Sequence, residues 1–243
     1  MRHPVPVARL DAELLRDFLE PPGLLGAVET VEQTLRRLAG LCARAFPVAA
    51  VVGISLRSGT MWAATTVPES HSAMDQQQYA LGAGPALDVV RDNTPSLARD
   101  LATEQRWAGF CAVAVEHGLR SLLVAPLSLG GVSVGALSLY AEDVGAVDDH
   151  DTIARTEELT VHVGATLLNA RAQETVRRQA DHLRTALDSR ASIEQAKGVL
   201  MGREGCSPDE AFRLLRYASQ TQHLKLHEVA ARVLAAARDP QRP

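Results

Sequence analysis

The feature that most constrains this 243-residue chain is a stretch without proline, Asp149 to Ser207, in which Gly164 is the only glycine before Gly198. Proline removes an i→i−4 hydrogen bond and collides with the preceding turn, so its absence over this length permits one long helix. The apolar residues agree with that reading. Ile153, Leu159, Val163, Leu167 and Ala170, then Val176, Ala180, Leu183 and Leu187, recur at three- and four-residue steps, with a register change near 173–175. Asp148-Asp149-His150-Asp151 supplies a capping cluster at the start. The spacing predicts a connecting helix over 151–188, long enough to leave the domain before it. Its two seams predict pairing with a second copy, as a coiled coil in a homodimer.

Upstream, the period changes repeatedly. A short amphipathic stretch, Leu10 to Leu19, is stopped by Pro21-Pro22 and Gly23, which closes an N-terminal extension of 1–23. From 24 to 150 the pattern is mixed. Val28, Val31, Leu35, Leu38 and Leu41 or Cys42 mark one helical face. AAVVGISLRSG and TMWAATTV read as a hairpin turning through Arg57 to Thr60. A helical stretch over Gln76 to Asn93 contains the small loop GAGP at 82–85. PSLARDL reads as a short strand, and EQRWAGFCAVAVEHG as a helix capped by Gly118. RSLLVAPLSLGG and VSVGALSLYAED form a second hairpin at Gly130-Gly131. The order is helix, two strands, helices, three strands. That predicts an α+β fold with a mainly antiparallel sheet flanked by helices.

The last part, 189–238, reads as three amphipathic helices, with Ser207-Pro208-Asp209-Glu210 as a helix start: N-cap serine, proline at N1 and a capping-box glutamate. Charge separates it from the rest. Residues 180–243 hold 10 Lys/Arg against 8 Asp/Glu, whereas the whole chain carries 25 against 29. A net −4 argues against wholesale coating of nucleic acid but leaves room for a local cationic face. Only two of the basic residues are lysines, Lys197 and Lys225, and both fall in this segment.

Composition excludes some classes. With 46% hydrophobic and 22% charged residues, the chain is neither disordered nor collagen-like. Cys42, Cys111 and Cys206 are odd in number, far apart and outside any CxxC, which predicts reduced thiols, a cytoplasmic location and no zinc site. The longest apolar run is broken by Pro126 and paired glycines, so no membrane span is expected. His71 and His117, isolated in sequence, read as loop and cap residues rather than metal ligands.

The run from Ser189 to Leu234 resembles the ANTAR domain, a three-helix RNA-binding module of bacterial transcription antitermination regulators. Ile193, Ala196-Lys197-Gly198, Leu200-Met201, Ala211-Phe212, Leu215-Arg216, Ala218-Ser219, Leu226 and Val229-Ala230 carry the resemblance. It implies binding of stem-loop RNA near a terminator. Ile193, Ala196, Val199 and Leu200 read as one packed face against Ala211, Phe212 and Leu215. Arg190, Lys197, Gly198, Arg203, Arg216, Tyr217 and Lys225 are the candidate RNA-binding residues, the cations for phosphate and Tyr217 for stacking. A helical glycine costs about 1 kcal/mol relative to alanine, so Gly198 suggests that another backbone comes close.

The domain over 24–150 resembles GAF domains, small-molecule-sensing and dimerising modules. The resemblance rests on Gly82 to Pro85, Ala86-Leu87, Asp100-Leu101, Arg106-Trp107, Gly118 to Ser121, Ala125 to Leu127 and Gly135 to Tyr140. It implies a pocket between the sheet and the segment from Met74 to Phe110, with Trp62, Tyr79, Asp100, Trp107, Phe110 and Tyr140 as lining candidates. No cofactor is implied: the residue set associated with cyclic nucleotides is not apparent, nor is a cysteine placed for tetrapyrrole attachment.

Together these readings predict a ligand-responsive regulator, not an enzyme, that binds stem-loop RNA in nascent transcripts and promotes antitermination. A ligand-gated DNA-binding regulator is the alternative, although no helix shows a dense amide-rich groove-reading face. A reductase of the GAF type using Cys42 and Cys111 is a third class, and no acid/base set accompanies those thiols.

Overall fold

The computed structural model describes residues 16–18 and 29–238; most of the predicted extension, with its Pro21-Pro22-Gly23 boundary, lies outside them. The chain divides at Glu174/Thr175 into two compact units.

The first unit is built on five antiparallel strands in the order β2-β1-β5-β4-β3: β1 (Val51–Ser58), β2 (Met61–Val67), β3 (Ser96–Ala98), β4 (Ser121–Leu129) and β5 (Val132–Ala141). The fold is α+β, as its pattern predicts. The β4–β5 turn places Gly130 and Gly131 at φ +59° and +82°. Two successive positive-φ residues make the hairpin turn whose twist suits the flanking strands. β3 begins at Ser96, opposite Val124, so at Pro126 strand β4 has no outer neighbour, and a residue without N–H is tolerated.

Alternation along the strands separates two cores. Val52, Ile54, Leu56, Leu123, Leu127, Leu137 and Leu139 face one side. There they meet Leu35, Leu38 and Cys42 of helix α1 (Val31–Ala45) and Leu159, Val163 and Leu167 of helix α5 (His150–Glu204). Phe18 is buried in the same core. Val51, Leu122, Val124, Ala136 and Tyr140 face the other side. They are covered by α2 (Ser72–Leu81), which follows the 3-10 turn Glu69–His71, by α3 (Pro85–Asp92), and by α4 (Ala108–Glu116). β1 and β5 are central because both of their faces are apolar.

α5 runs for 55 residues without a break at 188. The helix predicted over 151–188 therefore continues to Glu204, through the first of the three C-terminal amphipathic pieces. The reason is local: nothing between Asp149 and Gly205 breaks the helix, and Gly205, at φ +64°, is the first position to leave the right-handed region. Two further helices complete the second unit, α6 (Pro208–Gln222) and α7 (Leu226–Arg238). No helix of the described residues is long and apolar enough to cross a membrane.

Candidate ligand site and nucleic-acid face

The helix-covered face of the sheet carries polar groups among its apolar ones. Asp75, on the inner side of α2, is 4% exposed and is held from three directions. Thr66 Oγ1 of β2 donates to Oδ2 at 2.7 Å, Gln78 Nε2 to Oδ1 at 2.9 Å, and the Tyr140 hydroxyl to Oδ1 at 3.3 Å. Gln78, fully buried, also accepts the Ala86 N–H at 3.0 Å and so ties α2 to the start of α3. Burial pushes the Asp75 carboxyl above the ordinary carboxylate range, against the pull of these donors. Burial likewise pushes the Tyr140 hydroxyl well up, and the nearby Asp75 adds to the effect.

Two glycines make room for the cluster. A Cβ on Gly53 would stand 2.9 Å from Asp75 Oδ2, and one on Gly84 would stand 2.5 Å from Gln78 Cβ. The second glycine belongs to the GAGP loop.

Five of the six predicted lining residues share this side of the sheet. Trp62 of β2 stacks on Tyr79 of α2, with centroids 5.0 Å apart and planes 12° from parallel. Phe110 of α4 and Tyr140 lie 6.3 Å apart. Trp107 donates through Nε1 to Asp88 at 2.7 Å, and the Arg106 guanidinium lies 4.3 Å above its ring. Asp100 is engaged elsewhere. Arg120 grips both its oxygens at 3.0 Å, and the Ala102 N–H donates to Oδ1 at 3.0 Å. The backbone donor, then Arg120, hold this carboxyl below its usual range. It is a structural ion pair between the β3–α4 segment and the entry to β4 rather than a wall of the aromatic group.

Thr66, Asp75 and Gln78 did not stand out in sequence. An Asp-Gln-Gln-Gln run on a short helix reads as a solvated face. Only the i,i+3 spacing of Asp75 and Gln78, with Met74 beside them, hints at an inward side.

The two buried thiols stand on opposite faces of the sheet, Cys42 with α1 and Cys111 with α4. Burial pushes them up to about 12 and about 11, so both stay protonated at neutral pH.

In the second unit, Ala196, Leu215, Val229 and Ala230 form a small core with Ile193, Leu200 and Ala218 packed against it. Ser207 caps α6 and Glu210 returns the bond, closing the predicted capping box with Pro208 at N1. His223, at φ +53°, ends that helix, and the Ser219 hydroxyl donates to Leu224 O at 2.6 Å across the turn.

Arg190, Gly198, Arg203, Arg216, Tyr217 and Lys225 are exposed, Tyr217 to 69%. On α6, Arg213, Arg216, Tyr217 and Gln220 project from the side opposite Ala211 and Leu215, so cations, an aromatic ring and an amide share one outer surface. Lys197 differs. Its side chain is only 18% exposed and its ammonium donates to Glu194 at 2.9 and 3.1 Å. A Cβ at Gly198 would meet nothing within 4 Å, so no other helix among the described residues packs against it. Phe212, predicted in the core, is 38% exposed. One residue past Ala211 is a 100° rotation, which carries it to the flank while Ala211 and Leu215 fill the seam.

A GAF domain model matches residues 28–168, more than half of the chain. The chain belongs to the GAF domain family. An ANTAR domain model matches residues 181–234, so the chain joins a GAF domain to an ANTAR domain. Among solved structures it is similar to the GAF domain of a phosphoenolpyruvate-protein phosphotransferase from Coxiella burnetii. That likeness has 15% identity and a TM-score of 0.50 and covers 67% of this chain and 93% of the other. The corresponding domain from Acinetobacter gives 12%, 0.49, 67% and 93%. A type II free methionine-R-sulfoxide reductase from Thermoplasma acidophilum gives 12%, 0.42, 57% and 95%. No curated protein matches. The likeness to the Coxiella burnetii domain shows the fold alone and leaves the chemistry to this chain's own residues.

Proposed function

We propose that this GAF–ANTAR chain is a ligand-responsive regulator that binds stem-loop RNA in nascent transcripts and promotes transcription antitermination. The carrying observation is the union of the two domains in one chain, with α5 belonging to both matched segments. The outer surface of α6 supports RNA as partner, since Arg213 and Arg216 suit phosphates and the exposed Tyr217 ring suits an unstacked base. Arg190, Arg203 and Lys225 would extend the phosphate contact, and Lys197 would join once RNA competes with Glu194. Trp62, Tyr79, Trp107, Phe110 and Tyr140, with the Asp75 cluster, are the groups through which the GAF domain would sense a small molecule.

The active form is a homodimer in this reading. Val176, Leu183 and Leu187 of α5 are about two-thirds exposed, and with Ala180 they form a three-four seam that a second copy would cover as a coiled coil. In this reading the protein works in the cytoplasm and is a regulator rather than an enzyme; the protonated thiols of Cys42 and Cys111, on opposite faces of the sheet, do not favour a thiol-based reductase.

Selection of bound RNAs from a random pool by the purified chain tests the reading. Hairpin RNA should be enriched and should outcompete duplex DNA of equal length at fixed salt. Preference for duplex DNA would favour the alternative, a ligand-gated DNA-binding regulator. Replacing Arg216 by Ala should weaken hairpin binding and lower its salt slope by about one.

A further inference from the structure

Two histidines isolated in the sequence come together in the GAF domain. His71 ends the 3-10 turn and stands at the N-cap of α2, and His117 is the C-cap of α4. Their ring centroids are 5.7 Å apart, with planes inclined at 57°. Two imidazoles that share one ion through Nε2, at about 2.0–2.1 Å each, have centroids roughly 5–6 Å apart.

The other ring nitrogens are already occupied. His117 Nδ1 lies 2.9 Å from Val113 O, and a carbonyl only accepts, so in the neutral ring Nδ1 carries the hydrogen and Nε2 presents its lone pair. His71 Nδ1 lies 3.1 Å from Ser70 Oγ, which can accept an Nδ1–H and leave Nε2 free in the same way. Metal-ligating histidines are held like this, with an outer oxygen fixing tautomer and ring orientation. The C-terminal carbonyls of α4 add the negative end of a helix dipole beside His117.

We infer that His71 and His117 form a two-imidazole site for a divalent transition-metal ion of the zinc, nickel or copper group, with water completing its coordination. Imidazole nitrogen prefers these ions to magnesium or calcium. Among the described residues no third His, Cys, Asp or Glu joins the pair, which makes the site open and exchangeable rather than a closed structural centre. A bound ion ties the start of α2, the helix that carries Asp75 and Gln78, to the end of α4. The site is independent of the RNA reading and stands or falls by itself.

Calorimetric titration of the full chain with zinc or nickel chloride tests it, with magnesium chloride as control. One equivalent of zinc or nickel should bind per chain, magnesium should not, and saturation should raise Tm by about 2–4 °C. Gln and Asn replacements at each histidine serve as paired variants, so a folding defect in one leaves the other to be read. Each should lose that equivalent. No binding by the parent chain, or binding that survives replacement of either histidine, overturns the proposal.

Discussion

Asp75 shows how much one buried carboxyl can decide. Its protonated form is favoured in the folded chain, so the fold binds a proton that the unfolded chain has released above its own pKa. Stability from this group is therefore fullest at low pH and falls as pH rises from the unfolded value towards the raised folded one. Asp75→Asn should flatten that slope in a plot of Tm against pH, because the amide does not titrate; its oxygen still accepts from Gln78 and Tyr140, and its Nδ2 donates to Thr66 Oγ1 once that hydroxyl turns to accept. Asp75→Ala should instead cost about 1–3 kcal/mol in urea unfolding, since three buried donors lose their acceptor. At Lys197 the decision is electrostatic. Glu194→Gln frees the ammonium, so hairpin RNA should bind that variant more tightly in a gel-shift titration, while Lys197→Ala should bind it more weakly. Of these groups, Lys197 was legible as part of an ANTAR-like motif. Its pairing with Glu194 is an i,i+3 relation that sequence allows without requiring. Asp75 was not legible, because burial of a carboxylate is settled by neighbours distant in sequence, Thr66 and Tyr140.

Elements were read more easily than sites, for a local reason. Helix α6 announces itself at Ser207-Pro208-Asp209-Glu210, and its capping box closes as drawn. Ser207→Ala should cost about 1 kcal/mol, read as a loss of thermal stability in the second unit, while Ser207→Asp should be nearly neutral. The hairpins were legible from period-two alternation and paired glycines. Phe212 was misplaced because apolar character does not say which of two adjacent positions wins a narrow seam. In α5, periodicity located the apolar positions but not their partners. Leu159, Val163 and Leu167 pack on the sheet of the same chain, while Val176, Leu183 and Leu187 remain uncovered. A Leu183→Asp, Leu187→Asp double variant should sediment as a monomer if the uncovered seam joins two copies, with the GAF domain's near-ultraviolet circular dichroism unchanged.

At the scale of the molecule, two compact units with their own cores lie on one chain, and calorimetric unfolding should resolve more than one transition, with a van't Hoff enthalpy below the calorimetric one. Coupling between the domains, if a ligand of the GAF domain alters RNA affinity, must be reciprocal in free energy: RNA then changes ligand affinity by the same factor.

The order of elements, the α+β class and the start of helix α6 were contained in the sequence, because they depend on turn chemistry, proline placement and short-range periodicity. Tertiary structure alone decided which residues meet across the sheet. It buried Asp75 beneath Tyr140, turned Asp100 outward to Arg120, put Cys42 and Cys111 on opposite faces, and set His71 beside His117. Those outcomes come from side chains 20 or more residues apart competing for the same space, and that competition has no signature in local sequence.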